Sequence, residues 1–357
     1  MLHLEERLEN DLTAIRSEIA HQAERVETAV SNAMQALQTG NRQLAYTTIL
    51  NDYPVNRASR EIDRLCHRFI AVHLPSGTHL RLLSAVIRVN IELERVGDYA
   101  VTIAREGVQL VSAPADGMGR ELERMSSETL LMFKQATKAF NELNAELARS
   151  TMVMSGAMEY NLSSVYEEIA DTVQVTDIKD KLALFVVFNQ LKRVADQAKN
   201  LCENAVFAAT GAQKSPKIFN LLFLDEDNSF KSQLAEAIAH KDYPDVAIFR
   251  SAGRDAAENL NPELVRFLSE RGLHLADEKP KPITDLPPRD IANQDVIISL
   301  QGDIDRYLSE IPFHASVLHW NLEENSGDGD ADQIEELYRA LALQIKDLMD
   351  LLRGEED

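Results

Sequence analysis

The sequence predicts a multidomain chain in which a long all-helical region is followed by an α/β domain with a parallel sheet flanked by helices. Its 357 residues are enough for two or three ordinary domains. Over about residues 1–212, apolar side chains recur at the spacing of one helix face, and no alternating strand-like run interrupts them. From residue 217 onward, short apolar runs alternate with helical stretches, which is typical of parallel sheets.

Turn-forming residues divide the helical region into segments of about 30 residues. Glycine or proline occurs near 39–41, 75–77 and 113–117, and a weaker break lies near 150–155. Because these residue types end helices, the breaks predict roughly six helices.

The third and sixth predicted helices repeat each other at an offset of 98 residues. The residues that recur are Leu93, Arg95, Val96, Asp98 and Ala100, which return as Leu191, Arg193, Val194, Asp196 and Ala198. Such internal repetition predicts two three-helix units, about 1–112 and 118–212, each packed as an antiparallel bundle.

The last part of the chain contains short apolar runs that predict buried strands at 218–224, 246–249 and 295–300. Helical stretches lie between and after them at 232–240, 261–271 and 334–352. We therefore predict one α/β domain over residues 217–357.

Charge and cysteine content exclude several classes of protein. The formal net charge is -21, from 37 Lys and Arg against 58 Asp and Glu, so the chain repels nucleic-acid phosphates and we expect no nucleic-acid partner.

There are only two cysteines, Cys66 and Cys202, too few for a disulfide framework or a Cys-based zinc site. We expect packed thiols in a reducing cytoplasm.

The distribution of apolar residues predicts no membrane span. The longest uninterrupted apolar run covers residues 182–188, whereas a spanning helix needs about 20 residues. The first residues also lack the pattern of a secretory signal. We expect a cytoplasmic protein.

Glu94 and Asp98 are the first candidates for chemistry. They lie four residues apart in a predicted helix, so both carboxylates share one face and can bridge a hard cation. A chain with 58 acidic residues also produces such spacings by chance, which leaves a solvated surface pair as the alternative.

The surrounding strings make the pattern more specific. Asn-Asp-Tyr-Pro-Val-Asn stands at 51–56, Glu-Ile-Asp-Arg-Leu-Cys at 61–66, Leu-Arg-Leu at 80–82, and Glu-Leu-Glu-Arg-Val-Gly-Asp-Tyr-Ala at 92–100. Together they resemble the PhoU family of phosphate-uptake regulators. The resemblance extends over about residues 1–212 and is strong in the first repeat.

The PhoU resemblance implies two three-helix bundles in a cytoplasmic regulator, held near the inner face of the membrane through its partners. The implied partners are a phosphate ABC transporter ATPase, a sensor histidine kinase, or both, and a homodimer is a further expectation. It also implies a divalent or ferric ion. The ligands that the resemblance places in this sequence are Asp52, Asp63, Glu94 and Asp98.

The sequence departs from the family pattern in both repeats. Ser59 stands where the first motif would begin with an acid, and Ser163 and Val165 replace carboxylates of the fifth helix. Lys192 stands where an acid would pair with Asp196. We therefore expect a Lys192–Asp196 ion pair and no second full metal cluster.

The α/β part contains a second informative string, Leu-Leu-Phe-Leu-Asp-Glu-Asp-Asn-Ser-Phe-Lys-Ser-Gln-Leu-Ala-Glu-Ala at 221–237. With Ser-Ala-Gly at 251–253 and His-Trp at 319–320, it resembles low-molecular-weight tyrosine phosphatases and the related arsenate reductases over about 217–352. In that family the loop reads CX5R, with a thiolate nucleophile and a guanidinium that grips the oxyanion.

This chain has Asp225 at the cysteine position and Lys231 at the arginine position, and Glu323-Glu324-Asn325 where the family has its general acid. Carboxylates repel phosphate, and lysine lacks the bidentate fork. We predict a catalytically inactive, phosphatase-like binding module. The candidate ligand-binding residues of the degenerate loop are Asp225, Asp227, Asn228, Ser229, Lys231 and Ser232.

Three interpretations of the acidic loop at 225–227 remain open, and the first is a solvated vestigial loop without a ligand. The loop could bind a divalent cation or a cationic protein surface. Alternatively, the chain is a divergent metal-dependent hydrolase of a phosphorylated substrate, because an aspartate directly after a strand also begins the motif of aspartate-nucleophile phosphatases.

Overall fold

The computed structural model divides into two compact units, unit 1 at Met1–Lys214 and unit 2 at Ser215–Asp357. The structure describes residues 2–114, 116–155, 165, 166, 169, 177–213, 216–275, 279–312, 314–320, 322 and 331–354.

All the regular elements that the structure describes in unit 1 are helices. Its described helices are α1 (Leu2–Thr39), α2 (Arg42–Leu50), α3 (Asp52–His73), α4 (Gly77–Gln109), α5 (Asp116–Asn141), α6 (Ala145–Met152) and α7 (Ile178–Thr210). The long helices end near the predicted breaks.

Two predicted helices are each divided in the structure. The second is interrupted at Asn51, because Pro54 in the first turn of α3 has no N–H for a bond to the preceding turn. The fourth stops at Asn141, since Leu143 adopts a positive φ of 52° and Asn144 caps the short helix α6. The prediction of single helices through these points was wrong.

Helices α4 and α7 pack against each other at the centre of unit 1. The apolar members of the internal repeat are fully buried in both helices, whereas Arg95, Asp98 and Arg193 are exposed. The recurring apolar residues therefore mark the face that each of the two helices buries.

Cys66 and Cys202 are also buried in this core, and burial raises the pKa of each thiol to about 12.

Unit 2 contains a four-stranded parallel sheet in the order β2-β1-β3-β4. Its strands are β1 (Phe219–Asp225), β2 (Ala247–Gly253), β3 (Val296–Ser299) and β4 (Ser316–His319). The helices are α8 (Lys231–Asp242), α9 (Pro262–Arg271), α10 (Pro288–Ala292) and α11 (Ala331–Arg353). Buried apolar clusters cover both faces of this sheet, which confirms the predicted fold class.

The sequence did not predict β4. It is a four-residue edge strand whose side chains are all partly or fully exposed, so it lacks the apolar run of a buried strand. Among the described helices of both units, none combines the length and apolar composition that crossing a bilayer demands.

Candidate functional site

Three of the four predicted metal ligands lie close together in unit 1. Gly97 allows the start of α3 to approach α4, because a Cβ atom there would lie 3.2 Å from Val55 Cγ1 and 3.9 Å from Asp52 Oδ1. Burial and the carboxylates of Asp98 and Asp52 raise the pKa of Glu94. Partial desolvation of the Asp98 carboxyl group and the neighbouring Asp52 carboxylate likewise raise the pKa of Asp98.

Within the described residues, only one of the two carboxylate oxygens of Asp52 accepts a hydrogen bond. Its Oδ2 accepts a hydrogen bond from Asn56 Nδ2 at 2.7 Å. Its Oδ1 is buried, and no group in the described part of the chain donates to it. A buried carboxylate oxygen without a donor, beside two further carboxylates, is a suitable place for a cation.

Asp63 lies apart from this group and bonds to Asn90, one helical turn before Glu94. Asn90 Nδ2 donates to Asp63 Oδ1 at 3.0 Å and to the carbonyl of Ser59 at 2.9 Å. Across the described residues, no three His, Cys, Asp or Glu side chains are already arranged to hold one ion. The four-carboxylate ligand set thus remains a prediction.

The corresponding surface of the second repeat carries an ion pair. Lys192 Nζ lies 2.9 Å from Asp196 Oδ2, which confirms the predicted pair. The Arg193 guanidinium stacks over the Tyr99 ring with its carbon 5.8 Å from the centroid. Val165 is buried, and Ser163 lies outside the described residues.

The second candidate site is the loop of unit 2 between β1 and α8, residues 226–230. Asp225, the last residue of β1, is 2% exposed. Its Oδ1 accepts from the backbone N–H of Asn228 at 2.6 Å, and its Oδ2 accepts from that of Ser232 at 2.8 Å. Burial raises the pKa of Asp225 to about 6, although the two backbone N–H groups act in the opposite direction.

Asn228 holds the loop in shape. Its φ of 52° is left-handed, a conformation that asparagine tolerates better than most residues. The Nδ2 group donates to Ser232 Oγ at 2.8 Å and to Ser251 Oγ at 2.9 Å. The Oδ1 atom accepts from Gln233 Nε2 at 3.0 Å and from the backbone N–H of Lys281 at 2.9 Å. This fully buried amide therefore joins the loop to α8, β2 and residue 281.

A buried carboxylate that the sequence analysis missed continues this network. Ser251 Oγ donates to Glu236 Oε2 at 2.5 Å, and Glu236 Oε1 lies 3.7 Å from His240 Nε2. The Glu236 carboxylate raises the pKa of His240. The i, i+4 spacing of these two residues on α8 was the available sequence signal.

The acidic side chains of the loop, which a cation site would require to face an ion, bond to groups of the protein instead. Glu226 Oε2 lies 2.8 Å from Arg254 Nη2, and Glu226 Oε1 lies 3.0 Å from Arg306 Nη1. Asp227 is exposed and accepts from the N–H and hydroxyl of Ser229 at 3.0 and 2.9 Å. Both arginines were missed, since nothing in the sequence places them beside the loop.

Lys231 does not replace the family arginine as an anion clamp at the loop. Its side chain is buried, and Nζ donates to the carbonyl of Leu322 at 3.0 Å. The expected general-acid segment Glu323-Glu324-Asn325 lies outside the described residues.

Comparisons with known proteins support both sequence resemblances. The family model of the PhoU domain matches residues 19–107 and 122–205, and the model of the low molecular weight phosphotyrosine protein phosphatase matches residues 220–351.

The relatives of the helical part are PhoU proteins. A phosphate-specific transport system accessory protein PhoU homolog 1 of Thermotoga maritima is 27% identical over 206 residues, covering 57% of this chain and 89% of the relative. The PhoU protein of Escherichia coli is 26% identical over 215 residues, covering 58% and 88%.

A solved structure agrees with this assignment. The crystal structure of PhoU from Pseudomonas aeruginosa is 26% identical, with a TM-score of 0.55, and covers 57% of this chain and 99% of that chain. This chain thus carries a PhoU region in unit 1 and a domain of the low molecular weight phosphotyrosine protein phosphatase family in unit 2.

Proposed function

We propose that this protein is an accessory regulator of phosphate transport and of the response to phosphate starvation. It acts in the cytoplasm by binding a phosphate ABC transporter ATPase, its sensor histidine kinase, or both, and unit 2 is an added binding module. The observation that carries the proposal is the match to PhoU accessory proteins, which extends over 89% of the Thermotoga maritima relative.

The genetic test is deletion of the gene under phosphate excess. We expect phosphate-starvation genes to be expressed in the deletion strain and to be repressed again when the full chain is supplied. Messenger RNA or a reporter for a starvation promoter is the measurement. The strain must lack any second PhoU protein, and full repression in such a strain would contradict the proposal.

The physical test of the same proposal is purification of the full chain from phosphate-replete cells. The transporter ATPase or the sensor kinase should co-purify, and a homodimer would be visible by light scattering. Absence of both partners, with the chain folded and abundant, would leave no basis for the proposed binding role.

A noncatalytic role for unit 2 is supported by the state of Asp225. Both of its carboxylate oxygens already accept backbone hydrogen bonds, and its neighbour Glu226 is paired with two arginines. Asp225 is also only 2% exposed, so a phosphorylated substrate cannot reach its oxygens until the loop opens. The alternative is a divergent metal-dependent hydrolase. Hydrolysis of an aryl phosphate by the wild-type chain with Mg²⁺ or Mn²⁺, abolished in Asp225→Ala, would establish it.

We also propose a hard divalent or ferric ion in unit 1, held by Asp52, Glu94 and Asp98. The buried Oδ1 of Asp52 lacks a donor in the described residues, and hard cations take several oxygen ligands. A bound cation would compensate the mutual repulsion that these carboxylates experience.

Asp98→Asn tests the ion site. Without metal, we expect the variant to have a higher midpoint of thermal unfolding than wild type, because one repelling charge is removed. With Mn²⁺ or Fe³⁺, wild type should gain stability and bound metal, and the variant should gain little of either. Calorimetry and elemental analysis measure the two quantities.

The matched control is Asp196→Asn at the equivalent position of the second repeat. Asp196 is paired with Lys192, so its replacement should leave metal binding unchanged. Equal metal content in wild type and in Asp98→Asn would remove this ion site from the proposal.

A further inference from the structure

We propose that the loop between β1 and α8 is an oxyanion-binding loop whose anions are supplied by the chain itself. The carboxylates of Asp225 and Glu226 occupy the groups that would otherwise hold a phosphate-sized anion. Unit 2 therefore excludes free phosphate at this loop. This inference rests on the proposed noncatalytic role of unit 2 and explains it.

The first occupied position is at the start of α8. The Asp225 carboxylate lies between the backbone N–H groups of Asn228 and Ser232, at 2.6 and 2.8 Å. Backbone N–H groups at the beginning of a helix bind anions, and α8 is 12 residues long. The carboxylate is 2% exposed, so an external anion cannot reach these donors while it remains there.

The loop keeps this shape without an external ligand. Asn228 ties it to Ser232, Ser251, Gln233 and residue 281 through side-chain hydrogen bonds.

The backbone of the loop is also held by the segment that follows β2. Three loop carbonyl groups accept hydrogen bonds from backbone N–H groups of that segment: Asp225 from Arg254, Glu226 from Asp255, and Asp227 from Ala257. A loop held on both sides is preorganised, and the internal carboxylate completes its hydrogen bonds.

The second occupied position is formed by the guanidinium groups of Arg254 and Arg306, which hold the Glu226 carboxylate. Arg254 follows β2 and Arg306 ends a short 3₁₀ helix, Ile304–Arg306, so they reach Glu226 from separate segments. Guanidinium groups are the side chains best suited to phosphate, but here each one contacts a different oxygen of the same carboxylate. An incoming phosphate would have to displace Glu226.

Removal of the Asp225 carboxylate should expose the anion site. In Asp225→Ser the side chain is shorter and uncharged, so the N–H groups of Asn228 and Ser232 lose their charged acceptor and can donate to an external oxyanion. In the double variant with Glu226→Gln, Arg306 also loses the Glu226 carboxylate, and Arg254 keeps only Asp255, whose Oδ2 lies 2.8 Å from Arg254 Nε. The Nη groups of both arginines then become available to phosphate.

The experiment measures inorganic phosphate binding to the full chain by calorimetry at pH 7.5. We expect no saturable binding by wild type, millimolar binding by Asp225→Ser, and about tenfold tighter binding by Asp225→Ser with Glu226→Gln. Asp227→Asn is the matched control, because it removes one charge from the same loop but frees neither the helix N–H groups nor the arginines. It should bind no phosphate.

Folding is monitored through Trp320, the single tryptophan of the chain, which is buried in unit 2 beside Phe223. If Asp225→Ser fails to fold, Asp225→Ala serves instead, since it also removes the carboxylate and adds no ionisable group. Phosphate binding by wild type as tight as by the variants would overturn the inference, as would absence of binding by a folded variant. Hydrolysis of an aryl phosphate by wild type would instead overturn the noncatalytic role.

Discussion

Gly253→Ala is expected to unfold unit 2 or to destabilise it by about 3 kcal/mol or more. A Cβ atom at this position would lie 2.6 Å from the backbone N of Asn228 and 2.7 Å from the carbonyl carbon of Asp227. Both atoms are backbone atoms of the loop, so a rotamer change cannot relieve the contact. Denaturant unfolding followed by Trp320 emission measures the loss, because this tryptophan lies in the core of unit 2.

Gly272→Ala is the matched control for this substitution. Gly272 has a φ of 62° at the end of α9, but a Cβ there meets nothing within 4 Å. We expect a loss of about 1 kcal/mol from backbone strain alone. Equal and small losses at the two glycines would mean that the loop backbone moves away from Gly253 at little cost.

Asn228→Ala is expected to lower the free energy of unfolding of unit 2 by about 4 kcal/mol. The substitution removes the acceptor of Gln233 Nε2 and of the residue 281 N–H, and the donor to Ser232 Oγ. Each buried polar group without a partner costs about 1–3 kcal/mol, and an alanine with a positive φ costs about 1 kcal/mol more. The Trp320 signal again gives the measurement.

Asn261→Ala provides the comparison for Asn228→Ala. Asn261 caps α9 by accepting from the N–H of Glu263 at 2.9 Å, at an exposed position. Loss of such a cap costs about 1 kcal/mol. If the two variants are equally stable, the network around Asn228 is not what holds the loop.

Periodicity predicted the elements whose burial follows one regular face. The buried Leu93, Val96 and Ala100 of α4, and their counterparts in α7, are regularly spaced, and that spacing is visible without coordinates. Where a local feature overrides the pattern, prediction failed. The break at Asn51 depends on the effect of Pro54 on the first turn of α3, and β4 is too short and too exposed to leave an apolar run.

The loop shows the limit of sequence analysis at a functional site. The replacement of cysteine and arginine by Asp225 and Lys231 was visible in the residues, as was the acidic character of 225–227. These residues alone suggested a solvated loop or a cation site. In the structure Asp225 is buried against backbone N–H groups, and Glu226 is paired with Arg254 and Arg306.

By itself, the sequence determined the fold class, the internal repeat, the two family resemblances and the absence of the phosphatase thiol, because each is carried by residue types at fixed spacing along the chain. The tertiary structure alone decided which charges have partners. Arg306 is 80 residues from Glu226, and Ser251 is 23 residues from Asn228. Burial and hydrogen bonding depend on contacts between such distant segments, so the same carboxylates that suggest a cation site in the sequence complete an anion site in the folded chain.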